Sequence, residues 1–293
     1  MGFSSMDDFL SEVTVSGKFY RADWNKLTHA VTAQAAGAWY QLFSSQGNPT
    51  AGTISGGTNL AFQALTDASV GAILHGGNVT TDTKHILNVS AFSASATTMP
   101  AVFMLVDMLG FYPVTTVTTT GDQALNNTVT LPRYTDGAGV QAFVTATTAM
   151  GATAPNIRIT YTDSDANTGN LTPGTLPIGN ASAPIGQIVY SGTGTGKYGP
   201  FLPLAAGDKG IRSVQQFNLA STYTSGALSL NLCKPLLTLP MTTLGVAAER
   251  DLMNQLPSLP RIYDGACLAW LMYAGAATPV NSAFFGHCDF GWG

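Results

Sequence analysis

Apolar and polar positions alternate over much of the chain, most clearly after residue 113. "PVTTVTTT" (113–120) is β-branched throughout, "NTVTLPRY" (127–134) alternates, and "VQAFVTATTAM" (140–150) follows a turn at Asp136-Gly137. "NIRITYT" (156–162) sets Ile157, Ile159 and Tyr161 on one face and Arg158 and Thr160 on the other. "VQQFNLAST" (214–222) and "ALSLNLCKPLL" (227–237) flank "YTSG" and predict a β-hairpin, with Leu228, Leu230 and Leu232 pointing one way. "HILNVSAFSA" (85–94) alternates weakly and reads as a strand. "MPAVFMLVDMLG" (99–110) is a helix or a fully buried strand; its Leu and Met content and the stop at Gly110 favour helix. Short strands joined by turn residues, with no crossover helices between them, predict a mainly β protein. The expected architecture is an antiparallel β-sandwich or jelly-roll-like domain with short helices in the N-terminal and C-terminal segments.

The pattern divides the chain into three segments: a helical, aromatic arm and loop (1–58), the β-sandwich core (59–240), and a helical segment with an aromatic tail (241–293). "SSMDDFLSEV" predicts a short helix, with Ser4 or Ser5 as cap and Asp7 and Asp8 in the first turn. Residues 17–43 read as one helix or two short pieces, and 44–58 as loop. After Pro240 the pattern predicts a helix from Gly245 to Gln255, a second apolar segment over 258–279, and the tail "NSAFFGHCDFGWG". Phe19, Tyr20, Trp24, Trp39 and Tyr40 in the arm, and Phe284, Phe285, Phe290 and Trp292 in the tail, are candidate interface residues, because aromatic side chains supply much of the binding energy at interfaces. Local packing within the chain accounts for the same residues equally simply.

Composition narrows the partners. Of 293 residues, 45% are hydrophobic, which is ordinary, but only 10% are charged, for a net charge of −4; a typical domain carries about 25% charged residues. No apolar run is long enough for a membrane span, since "PAVFMLVDMLGFYP" is short and is broken by Asp107. An aromatic content of 10% and regular patterning argue against disorder. A subunit surface largely covered by neighbours fits best, with a secreted Thr/Ser/Gly-rich β protein as competitor. The basic residues are scattered singly, which predicts no nucleic-acid partner. Cys233, Cys267 and Cys288 lack metal-type spacing and sit in apolar flanks, so buried free thiols are expected. "MGFSSMDDFL" has neither a signal-peptide pattern nor, with Met6 at the sixth position, a myristoylation pattern. The expectation is a protein kept in the cell until assembly or release, and the five Asn-x-Ser/Thr triplets then carry no meaning.

Catalytic and ligand motifs fall short. "SGTGTGKYGPF" (191–201) has the Gly196-Lys197 of a phosphate loop, but Ser191 stands where the first glycine belongs, Tyr198 replaces the hydroxyl residue, and Pro200 follows where a helix should start. "DSDANTG" (163–169) resembles the start of a calcium loop, yet Thr168 and Gly174 occupy the positions of its Gly and Glu; a turn with Asx hydrogen bonds explains it. His29, His75, His85 and His287 match no zinc spacing, and adjacent His287, Cys288 and Asp289 cannot readily converge on one ion. There is no Gly-x-Ser-x-Gly elbow, and Glu12 and Glu249 are the only glutamates. No enzyme, cofactor or metal is predicted. "AAERDLMNQLPSLPRIYDG" (247–265) concentrates charge and predicts specific ion pairs, within the subunit or across an interface.

Sparse charge, the Thr/Gly/Ala-rich strands of "VTTVTTTGDQALNNTVTLP", the pair "VQQFNLASTYTSGALSLNLCKPL" and the compact "AAERDLMNQLPSLPRIYDGACL" together resemble structural proteins of tailed-bacteriophage virions, over most of the chain. Within that class the chain is most similar to capsid decoration or cement proteins. It lacks a charged amphipathic helix long enough for the spine of the usual major capsid fold. The resemblance implies a non-enzymatic homo-oligomer, trimer favoured, that binds the major capsid protein or other virion subunits. It also implies a place in the virion after assembly in the bacterial cytoplasm. A tail-tube or baseplate subunit, and a carbohydrate-binding β-sandwich with an exposed Trp or Tyr platform, are the alternatives.

Overall fold

The computed structural model describes residues 2–30, 32–56, 60–93, 98–114, 117–126, 130–173, 177–255 and 259–293. Among them, in chain order, are α1 (Met6–Leu10), a π-helical turn (Ser11–Val15), β1 (Phe19–Leu27), β2 (Ala38–Gln41), β3 (Gly47–Asn48), β4 (Gln63–Ala64), β5 (Lys84–Phe92), β6 (Ala101–Val114), β7 (Gly121–Ala124) and β8 (Gln141–Thr148). There follow β9 (Ile157–Asp163), β10 (Asn170–Leu171), β11 (Ile211–Leu219), β12 (Ala227–Met241), β13 (Ala248–Asp251), α2 (Leu252–Gln255), β14 (Arg261–Ile262), β15 (Leu268–Ala274) and β16 (Ala283–Trp292). The strands form three sheets, ordered β13-β5-β16-β1-β3 (β14 also on β5), β10-β9-β11-β7, and β2-β15-β6-β12-β8 (β4 also on β6). The ladders are antiparallel. The protein is mainly β and of sandwich and jelly-roll character, with short helices near both ends, as the alternation predicts.

The long strands β6 and β12 link two cores. Their paired outer ends, Phe103 and Leu105 with Leu237 and Leu239, pack with Trp24, Val89, Trp270, Phe284 and Phe290. Their other ends, Tyr112 and Val114 with Leu228 and Leu230, pack with Phe143, Ile159 and Phe217 of β8, β9 and β11. At about 25 cal/mol per Å² of apolar area removed from water, these two clusters hold the sheets together.

Several sequence expectations are corrected. The described residues of 17–43 are not helical: β1 alternates exposed Arg21 and Asp23 with buried Ala22, Trp24 and Lys26, and β2 follows, because polar and apolar positions that alternate by two suit a half-buried strand. Of residues 99–110, 101–110 belong to β6, the buried-strand alternative and not the favoured helix. The strand is central in its sheet, and from Leu105 on both its faces are packed into the cores, so the alternation vanishes there. Gly110 does not end it. A Cβ there would stand 2.3 Å from Phe62 Cζ, so glycine permits the close approach of Phe62 beside β4. The expected hairpin is absent: β11 pairs with β9 and β7, while β12 pairs with β6 and β8. The buried Tyr223 anchors the connection as it crosses between sheets.

The helix expected over Gly245–Gln255 is strand β13 followed by the single turn α2, because Ala248–Asp251 pairs with β5. The apolar segment 258–279 holds strands β14 and β15, and the aromatic tail is strand β16. Strand from the 113–120 stretch stops at Val114, with 115–116 outside the described residues; of 127–134, residues 127–129 also lie outside them and 130–134 form no strand.

Candidate interaction face

The two terminal strands meet. β1 pairs with β16 along its whole length, from Phe19 opposite Gly291 to Leu27 opposite Ala283, and β5 pairs along the other side of β16. β1 from the first segment, β5 from the middle one and β16 from the last therefore form one sheet. Its inner face closes the second core. Its outer face carries two cross-strand rows: Asp23, His287, Ser90 and Glu249, and beside them Arg21, Asp289, Asn88 and Asp251.

Three pairs of these side chains are bonded across the strands. Arg21 clamps Asp289 with Nε to Oδ1 at 2.7 Å and Nη2 to Oδ2 at 2.8 Å. The hydrogen bond to Asp289 raises the Arg21 pKa, assisted by the charges of Asp289, Asp23 and Glu249. Ser90 Oγ lies 2.8 Å from His287 Nδ1 and accepts from the His287 amide at 3.1 Å, while Asn88 Nδ2 donates to Glu249 Oε1 at 2.7 Å. In a chain with 12 basic and 16 acidic side chains, five on one sheet face is a concentration. Phe285, 42% exposed, and Phe19, 40% exposed, lie on the same two strands.

The N-terminal hook stands at one end of this sheet. Ser5 caps α1 by accepting from the Asp8 amide at 3.1 Å, and Ser4 N donates to Asp8 Oδ2 at 2.8 Å. Phe3 packs edge-on to Phe9 at 4.9 Å and tilts over His85 at 6.1 Å. Lys18 bridges Glu12 at 2.8 Å and Asp82 at 2.9 Å.

Of the nine aromatic candidates, Trp24, Tyr40, Phe284 and Phe290 are core residues. Trp24 lies 5.2 Å from Trp270 and Phe284 lies 4.9 Å from Phe103, so their surface is spent inside the subunit. Phe19, Tyr20, Trp39, Phe285 and Trp292 keep accessible surface. Trp39 packs on Tyr273 at 5.5 Å, and the Lys84 ammonium lies 5.0 Å from the Trp292 ring centroid. Arg21, Asp23, Ser90, Glu249, His287 and Asp289 were not singled out by sequence as a group. Their signal is the regular spacing of polar residues between apolar ones in "YRADWNKL" and "FGHCDF", which becomes a surface only when the two strands pair.

The other chemistry-bearing residues are structural. Lys197 Nζ donates to the carbonyls of Ile178 and Gly179, each at 2.9 Å, and so braces the glycine-rich loop. Asp163 accepts from the Asn167 amide and side chain, each at 2.8 Å, which is the expected Asx turn. The three cysteines are buried free thiols, with pKa pushed up by burial. Arg133 clamps buried Asp107 at 2.6 and 2.8 Å, and Cys267 N donates to the same carboxylate. Buried Lys26 donates to the Pro49 carbonyl at 2.8 Å and Lys84 to the His75 carbonyl at 2.7 Å; desolvation lowers each ammonium to about 8.

Ser90, His287 and Asp289 invite comparison with a catalytic triad. His287 Nε2 is 3.8 Å from Asp289, beyond hydrogen-bond range, and Arg21 engages both carboxylate oxygens. The strand amides around Ser90 sit in a continuous ladder rather than converging on an oxyanion. A cleft of about 570 Å³ lined by Tyr134, Arg261, Tyr263 and Asp264 offers no open aromatic platform, since Arg261 lies 4.3 Å over the Tyr263 ring and Lys234 5.5 Å over that of Tyr134. Among the described residues no three His, Cys, Asp or Glu side chains cluster as a metal site, and no helix is long and apolar enough to cross a membrane.

No family model matches the chain, and no curated protein matches it. Solved structures that align with it include the VP2 subviral particle of infectious bursal disease virus, at 10% identity over 96% of this chain and 86% of that one, with a TM-score of 0.19. The Gt strain of the same virus aligns at 10% identity over 97% and 86%, with a TM-score of 0.21. These neighbours are virus particle proteins; at such scores the likeness carries no argument about fold or function.

Proposed function

We propose that this protein is a non-enzymatic virion structural subunit that self-associates, as a trimer, and binds a phage capsid shell as a decoration or cement protein. The observation that carries this reading is the outer face of the terminal-strand sheet. There a charge-poor β body gathers the Arg21–Asp289 and Asn88–Glu249 pairs, with exposed phenylalanines on β1 and β16. Electrostatic complementarity of such a face sets register and partner choice, and exposed aromatics supply anchors. Phe19, Tyr20, Trp39, Phe285 and Trp292 are the aromatic contacts this reading assigns to neighbouring copies or to the major capsid protein. Neither nucleic acid nor membrane is a partner, and no cofactor is required.

Light scattering at micromolar concentration tests it. A closed oligomer that co-sediments with assembled capsids is the expected result. A stable monomer that binds no particle sinks the reading. Rings or tubes formed by the isolated protein move the assignment to the phage tail.

A further inference from the structure

We propose that residues 2–16 form an exchangeable arm, and that in the assembled protein the hook of one copy sits on the terminal-strand sheet of the next. This rests on the self-association proposed above. The hook is attached weakly to its own subunit. Not one of residues 2–16 is buried. Its two short helical pieces together span Met6–Val15, which is below the length at which an isolated helix is stable in water. The hook joins β1 through Ser16 and Gly17. Gly17 has φ +69, and a Cβ there would meet nothing within 4 Å, so the joint is both left-handed and uncrowded.

The seat is equally specific. The hook lies against glycines near the end of β16: a Cβ on Gly291 would come 3.2 Å from Val13 Cγ2, and one on Gly293 would come 2.9 Å from Phe3 Cε1. The same contacts can be made by the arm of a neighbour, which makes exchange a low-cost route to association. The hook also leaves Met6 60%, Leu10 48% and Val15 82% exposed, an apolar surface that one subunit alone does not cover. Lys18 follows the joint and is bonded to Asp82 of the body, so it is placed to receive Glu12 from either arm.

A mixed cross-linking experiment tests the exchange. One chain carries Val13→Cys, the other Gly291→Cys, with tags of different size; the three native cysteines are buried. The chains are unfolded together, refolded and oxidised. A reducible heterodimer in excess of either homodimer is the expected result. A light-scattering oligomer without that heterodimer overturns arm exchange and leaves the assembly reading intact, whereas a monomer overturns both. Deleting residues 2–16 provides the second measurement. Its thermal midpoint is expected to stay within a few degrees, while self-association weakens at least about tenfold. An unchanged association constant overturns the proposal.

Discussion

The central sheet and the terminal-strand sheet use the same antiparallel geometry for opposite ends. In β6, residues Val106 to Val114 are buried without interruption, whereas β1 alternates exposed and buried positions from Arg21 to Trp24. A strand covered on both faces has no free surface and can only support. A strand covered on one face holds the core with every second residue and leaves the others for a partner. In this protein the first and last strands of the described chain carry that free face, so the surface network is assembled from residues more than 260 positions apart, as the Arg21–Asp289 clamp illustrates.

The largest effect expected from breaking this contrast lies in the supporting sheet. Arg133→Met leaves Asp107 buried without its cation and is expected to lower unfolding free energy by about 3–5 kcal/mol in urea titration. The double variant Arg133→Met with Asp107→Leu should recover part of that loss; no recovery would show that the pair itself, and not the stranded charge, matters.

Next comes a pair of substitutions on the two faces of the terminal-strand sheet. Trp24→Ala is expected to cost about 3–5 kcal/mol, as for a buried aromatic. Phe285→Ala should change stability by no more than about 0.5 kcal/mol yet weaken self-association roughly tenfold. Equal stability losses in calorimetry would erase the distinction between the faces.

Acid and alkali sharpen the same comparison from the inner face. Burial lowers His75 to about 4, below its ordinary 6.5, so the unfolded chain binds the proton more tightly between those values. That contribution to stability is complete above pH 6.5 and is lost as pH falls towards 4. Lys26 and Lys84, lowered to about 8, make stability rise with pH from 8 upward. The cysteines, whose pKa is raised, oppose this rise above about pH 9. Thermal midpoints are therefore expected to climb between pH 4 and 6.5 and again from 8 to 9. Lys26→Met should flatten the second climb, and an unaltered profile would contradict the role given to that ammonium.

Arg21→Ala is likewise expected to have a small effect on stability. The side chain is 51% exposed, so loss of its pair with Asp289 should cost about 1 kcal/mol or less. Association with a partner should nevertheless become less sensitive to salt, measurable by light scattering across an ionic-strength series.

Legibility in the sequence followed burial. β5, β8 and β9 are legible because their segments are rich in β-branched and aromatic residues, with period-two burial kept at the start of β9, and the Asp163 turn is legible because its bonds are local. β6 is the fully buried strand that the sequence leaves open beside the favoured helix, since a continuous apolar run is compatible with either structure. The hairpin between β11 and β12 was mistaken because a short link between strands does not say whether they pair or cross to another sheet. The aromatic candidates were recognised as a group but not sorted, because aromatic content is the same for core and interface. Sorting Trp24 from Phe285 took the pairing of β1 with β16.

The amino-acid sequence by itself determined the mainly β class, the Asp163 turn, the scarcity of charge and the burial of the thiols, all of which follow from local propensity and composition. Only the tertiary structure decided which strands share a sheet, which face of each is covered, and that Arg21, Ser90, Glu249, His287 and Asp289 form one surface. The reason is physical. Alternation specifies two faces for a strand, but which face meets water depends on contacts with segments far away in the chain, and those are chosen by packing the whole core at once.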